Sequence, residues 1–342
     1  MSKMYSIEKS PLYRMRNKRK LAVLLGLPKD YFSHKRQHEY YEFSKPKPNG
    51  DGERHFTVPT EELKLIQKLL SRLLMRIETP DWVMSGKKYS SYITNAEKHK
   101  QNPFVKTMDI SQFYDSVQRK HIYKMFKETF KMAEDIAWIM TDLVTYKGIL
   151  PTGSPSSQLV VYWTYSDMFA GINRIANDKG CLFSLYVDDM TFSSKMPISQ
   201  EMRIAVAEQL KKNGLKAKNS KDHYYQADKM KVVTGVGLKD GKKIVLNSKR
   251  KAILEQYQKC KETRNLYEIE KLKGMLCSQR QIEQDIFPEI ENFVKHYDSE
   301  LKMMARNRFY KNRRKRTSVR KRLEKLTAVK YNKEIENINL DR

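Results

Sequence analysis

Asp188 and Asp189 are adjacent carboxylates set among apolar residues with the alternation of a strand: Leu185, Val187, Met190 and Phe192. A double charge in such a setting is costly unless something neutralises it. A third carboxylate, Asp109, lies near the end of the apolar run Val105 to Ile110. Three carboxylates suit a hard, oxygen-seeking divalent cation such as Mg²⁺. Two such ions about 3.5–4 Å apart can activate a hydroxyl nucleophile, steady a phosphorus centre and neutralise a departing pyrophosphate. A lone Asp-Asp pair is more often a solvated turn; the apolar flanks and the upstream Asp109 turn this one toward metal chemistry. Charge agrees, because residues 109–189 hold 10 acids and 8 bases inside a chain of net charge +27. Such an acidic island is expected where carboxylates hold cations opposite a bound polyanion.

The elements that must position these residues follow from periodicity. Val105 to Ile110 reads as a strand, Ser111 to Asp115 as a turn, and the stretch on to Phe130 as one amphipathic helix. A second helix runs from Met132 to Tyr146. The loop Leu150 to Ser157 has its path fixed by Pro151, Gly153 and Pro155, and Gln158 to Asn177 continues as a helix. Cys181 to Ser194 is a hairpin tipped by Val187-Asp188-Asp189. Upstream, Ser10 to Phe32 reads as a short basic helical region. Tyr40 to Phe43 and His55 to Val58 are strand-like around the polar tip Lys45 to Gly52. Leu63, Ile66, Leu69, Leu70, Leu73, Leu74 and Ile77 recur at helical spacing after Pro59-Thr60, with Glu61 and Glu62 in the first turn. Downstream, Ser199 caps a helix closed by Gly214. Val232 to Leu238 and Lys243 to Leu246 read as two strands around Asp240-Gly241, and everything past Ser248 is helical in pattern. Strand, helix, helix, then a carboxylate-tipped hairpin is the order of a palm-type nucleotidyltransferase.

The whole composition sets the partner. The chain has 342 residues, 67 Lys and Arg against 40 Asp and Glu, and a pI near 9.7, which points to a polyanion. With 39% hydrophobic residues it has material for a core. The longest apolar stretch, Leu21 to Leu27, is far short of the ~20 residues that span a bilayer. Cys181, Cys260 and Cys277 have no paired spacing, fitting neither a disulfide framework nor a zinc site and suggesting a reducing compartment. The charge is densest at the end: Lys302 to Lys330 contains 13 basic residues and one acid, Glu324, with Phe309, Tyr310, Val319, Leu323 and Leu326 interspersed. That spacing favours a helix laying Arg and Lys along phosphates.

These motifs together resemble bacterial reverse transcriptases, and among them the retron type. Tyr186-Val187-Asp188-Asp189 is similar to the family's Tyr-x-Asp-Asp box, and Asp109 to Tyr114 to its first metal-binding motif. Leu150 to Ser157 resembles the Leu-Pro-Gln-Gly-Ala-Pro-Ser-Ser loop, and Arg54 to Gln67 the fingers segment. Asn95-Ala96-Glu97-Lys98-His99 and Val233-Thr234-Gly235 match two signatures of the retron type. The resemblance spans roughly Tyr40 to Leu246.

The resemblance implies an α+β right-hand polymerase: an N-terminal helical region (1–39), fingers (40–104), a palm with an antiparallel sheet (105–247) and a basic helical thumb and tail (248–342). It implies that Asp109, Asp188 and Asp189, with the Ile110 carbonyl, hold two Mg²⁺ ions, for which Mn²⁺ could substitute. Arg54, Thr152, Gly153 and Lys221 would meet the nucleotide, with Lys47 beside the fingers tip, and Tyr114 would exclude a 2′-hydroxyl. Lys221 would protonate the leaving pyrophosphate, although Asp222 stands where a second base is usual. Thr152 replaces the customary Gln, and Val187 a commoner Ala. Asn95, Ala96, His99, Val233, Thr234 and Gly235 would help recognise RNA, as would Arg313, Arg314, Arg316 and Arg320 in the basic tail. His121 and His223 read as structural. The implied activity is RNA-templated DNA synthesis on a cognate noncoding RNA, giving RNA-linked single-stranded DNA primed from a guanosine 2′-hydroxyl, in anti-phage defence. Expected partners are that RNA and its DNA product, dNTPs, host ribonuclease H and a separate effector protein encoded alongside, in the bacterial cytoplasm and away from membranes. Alternatives are an intron-type enzyme acting on generic primer–templates, and an RNA-binding scaffold with a vestigial palm.

Overall fold

A computed structural model describes residues 4–34, 38–46, 52–311, 313, 314 and 317. Its centre is a four-stranded antiparallel sheet in the order β4-β5-β3-β6, built from β3 (Phe104–Asp109), β4 (Leu182–Tyr186), β5 (Asp189–Ser194) and β6 (His223–Tyr225). Helices mixed with antiparallel sheets in this way make an α+β fold, as the sequence leads one to expect.

Alternation gives the sheet two different faces. Met108, Phe183, Leu185, Met190 and Phe192 enter the larger hydrophobic core. There they join residues of α1 (Lys18–Leu24), α2 (Glu61–Leu74), α6 (Glu134–Val144), α7 (Ser157–Thr164), α8 (Ser166–Asp178) and α9 (Gln200–Lys212). The registers Tyr186↔Asp189↔Asp109 and Ser184↔Thr191↔Thr107 put the catalytic candidates on the opposite face. Val105 of that face enters a second core with Ile93 and Ala96 of α3 (Tyr92–His99). The same core holds residues of β7 (Lys231–Val233) and β8 (Val236–Lys239), which form a three-stranded sheet with β9 (Lys242–Ile244), and of the helices α10 (Asn247–Thr263), α11 (Leu266–Arg280) and α12 (Pro288–Lys295). A separate hairpin, in the segment expected to form the fingers, pairs β1 (Tyr40–Pro46) with β2 (Glu53–Pro59).

Three elements differ from the sequence pattern. The helix expected through Phe130 is cut into α4 (Phe113–Ser116), α5 (Arg119–Lys124) and a π turn over Met125–Thr129. The break at Val117 and Gln118 arises because this backbone pairs elsewhere: Arg119 donates to the Gly148 carbonyl at 2.9 Å, and Leu150 to that of Val117 at 3.2 Å. Helix 158–177 is interrupted at Tyr165, whose hydroxyl meets His121 at 3.2 Å. Val232 to Leu238 is not one strand but a hairpin, reversed at Thr234 (φ 45°) and Gly235 (φ 81°). The Asp240-Gly241 turn forms as expected, with φ of 50° and 70°.

Candidate active site

The strand registers make Asp109 and Asp189 direct neighbours across β3 and β5, and Asp188 completes the two-residue turn beside them. Asp109 is buried, at 4% exposure, and its Oδ1 has no hydrogen-bond partner; Oδ2 faces the Lys221 ammonium at 3.1 Å. Burial, followed by the charges of Asp109 and Asp189, pushes Asp188 up to about 7. Asp189 is raised for the same reasons, burial first and then Asp109. Burial by itself would lower Lys221, but its hydrogen bond to Asp109 and the three carboxylate charges carry it above its ordinary value. The cluster is therefore short of positive charge. Asp222, the uncertain neighbour, turns away to Lys106 and Arg203, each at 2.5 Å, which leaves Lys221 alone of the two at the cluster.

The site fits divalent cations by its donors: three hard carboxylates, one buried oxygen without a partner, and like charges that crowd one another. Among the described residues, no three acidic, His or Cys side chains by themselves form an ion cage. Oxygens from outside the protein would have to complete any coordination. Ile110 is buried between two backbone bonds, Lys218 N–H to the Asp109 carbonyl and Ser111 N–H to that of Lys216, both 2.8 Å.

The tip is held from the outer edge of the sheet by a segment the sequence pattern gave no reason to place there. Residues 82–84 run parallel to β4, with Leu185 N–H bonded to the Trp82 carbonyl and Met84 N–H to that of Leu185, both 2.8 Å. Ser85 Oγ then accepts the Val187 N–H at 3.0 Å. Val187 needs that support, since it adopts φ 61°, a left-handed conformation that is unfavourable for a β-branched residue.

The β1–β2 hairpin and α2 are stitched to the loop Leu150–Ser157. Gly153 N–H donates to the Thr57 carbonyl of β2 at 3.0 Å, and a Cβ at Gly153 would fall 2.6 Å from both that oxygen and Val58 Cγ2. This glycine thus has a packing reason of its own. Thr152 Oγ1 donates weakly to the His55 carbonyl at 3.4 Å, and Ser154 Oγ donates to Gln67 Oε1 at 2.7 Å. Gln67 is fully buried and also bonds Tyr40 and the Leu143 carbonyl; sequence reasoning assigned it no role. Tyr114 packs 6.0 Å from the ring of Phe113, itself a core residue at 3% exposure. Arg54 pairs with Lys45 across the fingers hairpin.

Half of the residues of the two signature motifs are interior. Asn95, Ala96, His99 and Val233 are all 0% exposed, and they join α3 to the palm sheet and to the β7–β8 turn. The resemblance implies that these four help recognise RNA; in this structure their side chains are interior and present no surface of their own to a base. Thr234 is half-buried and bonded to the Tyr92 carbonyl; Gly235 is exposed. His99 is pulled down to about 3, mainly by burial and then by Lys98, so the ring is neutral. Arg313 and Arg314 are exposed on the helical end of the described chain. Lys47, Arg316 and Arg320, and the spacing of Val319, Leu323 and Leu326, lie outside the described residues.

Residues 45–238, more than half of the chain, match the model of the family described as reverse transcriptase (RNA-dependent DNA polymerase). The chain belongs to that family. Within it the likeness is to the retron type. A 253-residue stretch is 24% identical to the retron Se72 reverse transcriptase of Salmonella heidelberg, covering 71% of this chain and 67% of that protein. A 138-residue stretch is 26% identical to the retron Ec86 reverse transcriptase of Escherichia coli, covering 40% of this chain and 43% of the relative. The retron Ec48 reverse transcriptase of the same species is 25% identical over 114 residues, 33% of this chain and 28% of its own. Reverse transcriptases work with divalent metal ions, which agrees with the donor set. No described helix of this reverse transcriptase is long and apolar enough to cross a membrane.

Proposed function

We propose that this chain is the polymerase of a retron, copying one cognate structured noncoding RNA into single-stranded DNA that stays joined to it, as part of anti-phage defence in the bacterial cytoplasm. The observation that carries the reading is the three-carboxylate cluster at the sheet tip, set inside the reverse transcriptase match of a chain whose curated relatives are retron enzymes.

Asp109, Asp188 and Asp189 would hold two Mg²⁺ ions, or Mn²⁺ in their place, with substrate phosphates supplying further oxygens. Bound there, the ions would supply Lewis acidity toward the primer hydroxyl and the triphosphate. Lys221 serves as proton donor to the leaving pyrophosphate; its ammonium lies 3.1 Å from Asp109. Arg54 offers the triphosphate a guanidinium, which can grip phosphate bidentately. Thr152 and Gly153 line the nucleotide's approach from the loop that β2 holds in place. Tyr114 acts as the gate against a 2′-hydroxyl. Arg313 and Arg314 grip nucleic acid through phosphates, a contact that weakens with salt. The effector and the ribonuclease H that trims the RNA are separate proteins.

Nucleic acid recovered with the protein from its native host tests this. A short DNA covalently joined to one structured RNA supports the retron reading, and a bulk mixture of cellular RNA refutes it. Tyr114→Val should raise ribonucleotide incorporation at least about tenfold; unchanged sugar discrimination would remove Tyr114 from the gate.

A further inference from the structure

The sheet face that carries Asp109 and Asp189 also carries Ser184 and Ser193, and both serines are bonded to α3. His99 Nε2 lies 2.7 Å from Ser184 Oγ, and His99 Nδ1 lies 2.7 Å from Ser193 Oγ. With the amides of Asn95 and Asn102 oriented as they stand, valence fixes the direction of the protons in this chain of groups. Thr234 Oγ1 donates to the Tyr92 carbonyl at 2.7 Å, so it accepts from Asn95 Nδ2 at 3.4 Å. Asn95 Oδ1 accepts the Ser184 hydroxyl proton at 2.7 Å, so Ser184 must accept from His99 Nε2–H. In a neutral ring Nδ1 is then the acceptor and Ser193 the donor, while Ser193 accepts from Asn102 Nδ2 at 2.7 Å. The chain ends on a carbonyl, which can never donate. With these amide orientations it has one satisfied arrangement.

We propose that Asn95, His99 and Thr234 are positioning residues for nucleotidyl transfer: their hydrogen-bonded chain sets where the β4–β5 hairpin, with Asp188 and Asp189 at its tip, stands relative to the base of the thumb. The inference rests on the polymerase reading above. Ser184 is two residues from Tyr186 and Ser193 four from Asp189, roughly 7 and 13 Å along the strands at ~3.3 Å per residue. Apolar packing would hold α3 against the sheet but let it slide, because it is not directional; a polarised hydrogen-bond chain admits a single register. At its other end Thr234 forms the β7–β8 turn, whose Val233, Val236 and Leu238 share a core with Ile253, Ile269 and Leu272 of the helices that follow. The thumb base and the catalytic hairpin are thus linked through one amide and two hydroxyls. That link gives buried, polar motifs a role in the reaction without any contact to nucleic acid.

The test uses the full chain, a poly(rA) template with an oligo(dT) primer, dTTP and Mg²⁺, read by single-turnover incorporation, by primer–template affinity and by the fraction of active sites. Thr234→Val removes only the hydroxyl, and Ser184→Ala carries the same test should that variant fail to fold. Each should slow incorporation per active site about tenfold, as a small misplacement of reacting groups does, with primer–template Kd within about twofold of the parent. Thr234→Ser, which keeps the hydroxyl, should restore the rate. A reduced active fraction with an unchanged rate per site would overturn the positioning role and leave a merely structural one. No incorporation by the parent chain with either Mg²⁺ or Mn²⁺, on this substrate or on the structured RNA recovered with it from its host, would instead overturn the polymerase reading, and the inference with it.

Discussion

Two ends of one sheet face treat polar groups in opposite ways. At the tip, three carboxylates crowd together, one buried oxygen has no partner, and two of the acids are pushed upward in pKa. Some 13 Å back along β5, by the strand rise of ~3.3 Å per residue, His99, Asn95, Ser184 and Ser193 are more deeply buried than Asp188 and Asp189, yet neutral and bonded to one another. An unsatisfied cluster is tolerated where something must bind, and a satisfied one where something must stay put. On the proposed reading, the difference separates the part of the face that would do chemistry from the part that would hold it.

The largest test of this division removes the tip. Asp188→Ala with Asp189→Ala should lower dNTP incorporation by more than ~10³-fold, about 4 kcal/mol of transition-state stabilisation, while RNA binding measured by filter retention stays intact. Surviving polymerisation would refute the metal assignment. Next, His99→Ala leaves two serine hydroxyls without their ring partner and should cost about 3 kcal/mol in urea unfolding; a loss under about 1 kcal/mol would mean the rear network holds little.

Acid should distinguish the two ends by sign. The folded value of Asp188, about 7, lies above its unfolded value, so the fold holds the extra proton and the cluster's penalty appears as pH rises through 7. Asp188→Asn should therefore stabilise the metal-free chain by about 2 kcal/mol at pH 8 and leave it unchanged near pH 4. His99 runs the other way: its folded value of about 3 lies below that of the unfolded ring, so between pH 6.5 and 3 the unfolded chain holds the extra proton. Acidification then lowers stability by up to ~1.4 kcal/mol per pH unit through this one group, and His99→Gln should flatten that slope. Urea midpoints across pH decide both; slopes of the same sign would end the contrast. Smallest, Gly153→Ala should destabilise by about 1–2 kcal/mol by pressing on the Thr57 carbonyl. An unchanged melting temperature would show that β2 yields freely.

Much of the tip was legible in the sequence, because Asp188-Asp189 between alternating apolar residues is a local pattern, and so are the heptad-like leucines of α2 and the Asp240-Gly241 turn. The rear was not. Asn95 and His99 find their serine partners 89 and 85 residues away, so nothing near them in sequence marks them as interior, and polar residues in a short helix read as surface. The hairpin within Val232 to Leu238 was hidden because Val233 and Val236 are both apolar and both buried. Its reversal depends on Thr234 accepting a positive φ, for which Thr is an unusual choice. The break in the helix after Asp109 follows from backbone pairing with 148–150, a tertiary demand that overrides local propensity.

Lys221 and Asp222 are chain neighbours committed to opposite duties, one to the carboxylate cluster and the other to Lys106 and Arg203. A deletion of one residue just ahead of them would shift the frame and swing an acid toward three acids already in place. The stretch between α9 and β6 should accordingly accept changes of residue far more readily than changes of length, and its length becomes a trait on which selection acts.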